Sequence, residues 1–100
     1  MSATLTVIRW RDIPAQVVAK LGRRAHRVEL APRFQQAIDR AAMRAGASGT
    51  DEYLEDWRRD SRPCSEDLEL EATTEAAALD ERFPLEVLNE YVLNNGFRGE

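Results

Sequence analysis

Two side chains in this sequence could carry nucleophilic chemistry, Cys64 and His26, and each is the only one of its kind. A thiol nucleophile needs a base to take its proton and a third group to orient that base, and no local spacing connects these two. Cys64 lies beside Pro63 and just before a helix start, where the dipole would lower its pKa, but Glu66 and Asp67 act in the opposite sense. It reads as a loop cysteine rather than a catalytic or redox-sensing one. His26 alternates with Val28 and Leu30, which suits a hydrogen-bonded histidine at the edge of a core better than a ligand or base. One cysteine and one histidine also forbid an intramolecular disulfide and leave an ordinary zinc site short of ligands. Glu66, Asp67, Glu69 and Glu71 belong to the polar side of an amphipathic segment, where a solvated face is the expected role. No spacing matches a calcium loop, a P-loop or a dinucleotide fingerprint. The expectation is a chain with no catalytic residues, no metal and no cofactor.

The positive signal is a group of arginines beside tryptophan. Arg9, Trp10 and Arg11 are consecutive, Asp12 follows, and Arg23, Arg24 and Arg27 lie at and after a turn. If the strands that carry them pair, the two groups converge at one end. Such a patch suits nucleic-acid phosphate, an anionic cofactor or a partner's acidic surface. Thirteen of the fourteen cations are arginine, with Lys20 the exception, and the planar guanidinium fork matches carboxylate and phosphate geometry. The net charge of −4 and the lack of interleaved exposed aromatics argue against nucleic acid. Charge is also unevenly spread: residues 1–62 carry twelve Lys/Arg and eight Asp/Glu, whereas residues 63–100 carry two and ten. An acidic C-terminal part folded onto the basic N-terminal part would account for the same arginines, so internal pairing and partner recognition both stand.

The elements that must position these residues follow from periodicity. Residues 3–10 are rich in β-branched and aromatic side chains and predict a strand, which Arg11-Asp12-Ile13-Pro14 breaks with a turn. Residues 15–21 and 25–30 predict a hairpin about Gly22, with Val17, Ala19 and Leu21 on one face and Gln16, Lys20, Arg27 and Glu29 facing water. From Pro32 the period becomes helical: Phe34, Ala37, Ile38, Ala41, Ala42 and Ala45 share one side, and Gly46 ends the helix. Met43 falls on the outer face, either as an isolated exposed apolar residue or as a partner contact. Thr50 caps an expected helix over 51–60 with Tyr53, Leu54 and Trp57 in one stripe, stopped by Pro63. Ser65 caps a third helix in which Leu68, Ala72, Ala76, Leu79 and Phe83 align, with Leu70 and Ala77 opposite. Leu85, Val87, Leu88, Tyr91 and Val92 form the apolar face of a fourth, closed by Asn94-Asn95-Gly96, with a frayed tail beyond.

These readings predict an α+β fold: a small antiparallel sheet of about three strands followed by about four helices packed on it. One hundred residues allow one domain over 1–100, with strands within about 3–30 and helices within about 32–95. No run approaches the roughly 18 apolar residues a membrane helix needs, and the first residues lack a signal-peptide layout. A cytoplasmic protein is expected.

Trp10-Arg11-Asp12-Ile13-Pro14-Ala15-Gln16-Val17, Arg33-Phe34-Gln35-Gln36-Ala37-Ile38-Asp39 and Ala41-Ala42-Met43-Arg44-Ala45-Gly46 together resemble the small bacterial "virulence factor" domain family. Tyr53-Leu54-Glu55-Asp56-Trp57-Arg58-Arg59 also fits it. The resemblance covers about residues 4–62 and extends to the acidic part by pattern only. It is to the domain also found in conserved virulence factor C proteins, whose name records a phenotype rather than an activity. It implies a bacterial accessory domain with no catalytic residues to carry over, and an association with folate- and corrinoid-dependent one-carbon enzymes. The expected function is a non-catalytic interaction domain that docks on a larger enzyme subunit. Arg9, Trp10, Arg11, Asp12, Gln16, Arg23, Arg24 and Met43 are the expected partner-binding residues. Trp57 is a further motif position, although Asp12 as a turn cap and Trp57 as core serve equally well. An anion- or nucleic-acid-binding module using the arginine-rich hairpin is the alternative.

Overall fold

A computed structural model of the chain describes residues 2–99. Its elements run β1 (Ala3–Trp10), β2 (Ile13–Leu21), β3 (Arg24–Glu29), α1 (Pro32–Arg44), α2 (Asp51–Glu55), β4 (Trp57–Cys64), α3 (Leu68–Arg82) and α4 (Leu85–Leu93). The strands form one antiparallel sheet in the order β3-β2-β1-β4. The α+β expectation holds, with four strands in place of about three.

The extra strand comes from residues expected to be helical. Only Asp51–Glu55 forms a helix, and Trp57–Cys64 then pairs along the whole of β1, Trp10 opposite Trp57 and Ala3 opposite Cys64. Edge strands are usually polar, and this one is exposed from Arg58 to Pro63, so it lacks the apolar alternation that marks a strand in sequence. Pro63 is tolerated there because an edge strand need not donate every backbone N–H.

Alternation across the inner strands separates two faces. Leu5 and Val7 of β1, Val17 and Ala19 of β2 and Val28 of β3 point to the helices, where they join Phe34, Ile38, Leu68, Leu79 and Leu88 in the core. Thr4, Thr6, Gln16, Val18, Lys20 and Arg27 have the opposite parity, together with Ile8. β1 and β2 lose register between Ile8 and Arg9, leaving Ala15 unpaired against β1. Gly22 makes the β2–β3 turn at φ +60°.

α1 buries the stripe expected of it, and α3 buries Leu68, Ala72, Ala76 and Leu79. Asp67, not Ser65, caps α3, its carboxylate accepting the Leu70 N–H at 3.2 Å. Leu85 was expected on the apolar face of α4 but is 53% exposed, because Leu88 and Val92 define the buried side. Arg40 and Arg44 of α1 bond to Asn89 and the Leu93 carbonyl of α4 at 2.8 and 3.2 Å, tying the two helices together. The frayed tail expected after Gly96 is held as far as Arg98: Asp12 N–H donates to the Gly96 carbonyl at 2.9 Å, and Arg98 N–H to Asp12 Oδ2 at 2.7 Å.

Candidate functional site

The β1–β2 turn carries four of the expected partner-binding residues, and its geometry divides them. Arg11 takes φ +53°, an uncommon backbone conformation for a side-chain-bearing residue. Its guanidinium lies 4.7 Å from the ring centres of both Trp10 and Phe97. Arg11 Nε donates to Asp56 Oδ2 at 2.9 Å and Nη1 to the Asn95 carbonyl at 2.8 Å. Trp10 is fully buried, and its indole N–H donates to the Tyr53 carbonyl at 2.8 Å. Trp10 and Arg11 are therefore interior parts that join the turn to the chain around 53–56 and 95–97. The expectation that they present a docking surface is corrected. The Asp12 carboxylate accepts the Arg98 N–H at 2.7 Å, tying in the chain after α4 rather than capping an amide of its own turn. Trp57 is half-buried and packs edge-on against Tyr53.

The two arginine groups do not converge. Arg9 and Arg11 lie at the β1–β2 turn, whereas Arg23 and Arg24 lie at the β2–β3 turn, at opposite ends of the shared strand β2. Six residue steps along β1, from Thr4 opposite Lys20 to Trp10 opposite Ile13, separate the ends by roughly 20 Å. Arg23 and Arg24 instead share a groove with His26 and with Glu66, Asp67 and Glu69 at the start of α3. Basic and acidic parts of the chain do meet, there by proximity and elsewhere by contact: Arg33 to Asp80 at 3.0 Å and Arg62 to Glu75 at 3.5 Å.

Gln16 lies on the sheet face away from the helices, accepting from Arg27 Nη1 at 2.7 Å. Tyr53 of the short helix α2 packs on Trp57 at one end of this face, and Ile8 and Val18 stand outside the core cluster although Ile8 is only 6% exposed. A shallow apolar depression joins Ile8, Gln16 and Trp57 to Arg58 and Arg59 of β4. Met43 is 70% exposed, as expected, but on α1 and so in the opposite layer.

A second concavity lies on the helix side. The helices pack chiefly on β1, β2 and β3, and β4 meets α3 through Arg62 and Glu75, so the Trp57 end of β4 extends the sheet beyond them. Under this overhang a cleft of about 480 Å³ is lined by Arg9 and Arg11 of the first hairpin and by Arg58 and Asp60 of β4. Asp12, Arg82, Phe83, Tyr91 and Arg98 complete it. Arg9 Nε bonds Asp60 at 2.7 Å, while Arg58 stands 4.0 Å from Asp12. In the sequence Arg58 reads as a family-motif position, and Arg82 and Arg98 carry no site reading. The available signal was that Arg82 and Arg98 are the only cations in residues 63–100.

Cys64 and His26 sit on opposite edge strands, β4 and β3. Three strand spacings, about 14 Å, part the two strands, far beyond the hydrogen-bond reach a nucleophile and its base require. Burial pushes the Cys64 thiol above its usual value, Glu71 adds to this, and Arg62 opposes it. Glu71 is held below the usual carboxylate range, chiefly because it accepts the Ser65 N–H at 2.7 Å. Among the described residues no group of three His, Cys, Asp or Glu side chains could hold a metal ion, and no helix is long and apolar enough to cross a membrane.

The family model described as Virulence factor matches residues 8–92. No curated protein and no solved structure matches the chain.

Proposed function

The chain belongs to the virulence factor family, and from that premise we propose that it is a non-catalytic interaction domain that docks on a larger cytoplasmic enzyme through the sheet face opposite its long helices. The observation that carries the reading is a four-stranded sheet on which the long helices α1 and α3 cover the side of Leu5, Val7 and Val17. On its other side Ile8 is covered to 6% exposure and Val18 is half-buried, while Lys20, Arg27 and Arg59 stand exposed around them. What this face offers a partner is a ring of exposed cations over a small, partly covered apolar centre, and a polar rim around an apolar centre is the usual anatomy of a docking surface. The cationic rim selects an acidic partner, by steering encounter and excluding basic surfaces. The separation of Cys64 from His26 supports a non-catalytic role. The family resemblance supplies the partner class, an enzyme of folate- or corrinoid-dependent one-carbon metabolism, for which this chain would be an accessory subunit.

Of the residues expected to bind the partner, Gln16 belongs to this face. Arg9, Trp10, Arg11 and Asp12 act at the turn, Arg23 and Arg24 at the far end, and Met43 in the helical layer. The test is co-purification of the tagged chain from its native cell, compared with the double reversal Arg27→Glu/Arg59→Glu. Both side chains are exposed, so the fold should survive, as circular dichroism would verify. One enzyme should be held in stoichiometric amount by the wild type, with affinity at moderate salt reduced about tenfold or more by the reversal. Undiminished binding by the folded variant would remove this face from the reading.

A further inference from the structure

We propose that the cleft under the β4 overhang binds a small polyanion, a compact molecule with two or more adjacent carboxylate or phosphate groups. Five arginines and two aspartates line it, a surplus of three positive charges in a chain whose net charge is −4. The surplus is concentrated against the overall sign of the molecule. Residues 63–100 hold ten acidic residues and two basic ones, Arg82 and Arg98, and both basic residues are delivered to this one cleft.

The guanidiniums divide into committed and open ones. Arg11 is 7% exposed, with bonds to Asp56 and Asn95, and serves as fixed structure. Arg9 uses Nε on Asp60, leaving its terminal nitrogens. Arg58 has a carboxylate only at 4.0 Å. Arg82 and Arg98 are exposed and make no ion pair among the described residues. Like charges gathered around one concavity repel, and an anion with several oxygens relieves that repulsion through charge-assisted, bidentate bonds. The volume of about 480 Å³ matches a small-molecule site. A polynucleotide fits poorly, since Asp12 and Asp60 interrupt the cationic lining and the net charge repels a long polyanion. The cleft opens on the helix side of the sheet and shares the edge residue Arg58 with the depression on the docking face, but neither test alters Arg58, so each proposal can fail without the other.

The test titrates the whole chain with inorganic pyrophosphate, citrate and a single-stranded oligonucleotide at constant ionic strength. Calorimetry reads affinity, and amide chemical shifts locate the site on the unaltered protein. Pyrophosphate or citrate should saturate, moving amides at 9–12, 58–60, 82 and 98, and the preferred probe separates phosphate from carboxylate ligands. Arg82→Gln/Arg98→Gln should weaken binding about tenfold or more, roughly 1.4 kcal/mol or more. Arg23→Gln/Arg24→Gln, at the far end, should not. The proposal is overturned if neither small anion binds, if both double variants lose affinity equally, if the shifts map elsewhere, or if only the oligonucleotide binds.

Discussion

Glu71 shows how one side chain sets a condition for the fold. Its carboxylate reaches back to the Ser65 amide at the entry to α3, and that bond favours the ionised form. A carboxyl whose folded pKa lies below its unfolded value stabilises the fold above the unfolded value, about 4.3, and loses that contribution as pH falls through the folded one. Glu71→Gln should therefore be less stable than the parent at neutral pH. The gap should close as pH drops below about 4, a trend that denaturant unfolding at a series of pH values would reveal. If the gap kept its size at low pH, the ionised carboxylate would not be its source. The same scale shows where side-chain identity misled. Arginines flanking a tryptophan look like a recognition surface, yet Arg11 and Trp10 spend their polar groups inside, a fate fixed by carbonyls at Asn95 and Tyr53 that lie far away in the chain.

At the scale of elements, legibility followed amphipathicity. α1 and α3 were readable because Phe34, Ile38, Leu68 and Leu79 repeat at helical spacing and are buried. β4 was not, since Arg58 to Pro63 offers no apolar face and its strand identity comes from pairing with β1. The anion cleft was illegible for the same reason, because Arg58 reaches it only through that strand. The turn after α4 was read for its glycine but not for its purpose. Gly96 has φ +92°, and a Cβ added there would stand 2.9 Å from Trp10 Cζ3. Gly49 has φ +76° with open space around it. Gly49→Ala should cost about 1 kcal/mol, for the left-handed backbone alone. Gly96→Ala should cost roughly 2–4 kcal/mol, since overpacking adds to that strain. Thermal or denaturant unfolding of the pair would decide, and equal losses would mean that the indole yields freely.

Across the whole molecule, Arg11 gathers three distant stretches: the first hairpin, the start of β4 through Asp56 and the residues after α4 through Asn95 and Phe97. Replacing it by Ala leaves Asp56 without its partner. Because the Asp56 side chain keeps 27% of its exposure, the expected loss is about 2 kcal/mol, below that of a fully buried pair. Arg11 and Asn95 are 84 positions apart, and contacts of such separation tend to form after the local ones. The loss should therefore appear in stopped-flow kinetics as faster unfolding with little change in the folding rate; a slowed folding limb would place the contact in the nucleus instead. The clamp also bears on synthesis. A ribosome delivers the hairpin before residues 95–98, so the Trp10 indole and the Arg11 guanidinium are made ahead of the late residues that cover them. During that interval the nascent chain displays an aromatic and cationic segment that the finished protein conceals, and a chaperone would meet a different surface from the one the mature fold shows.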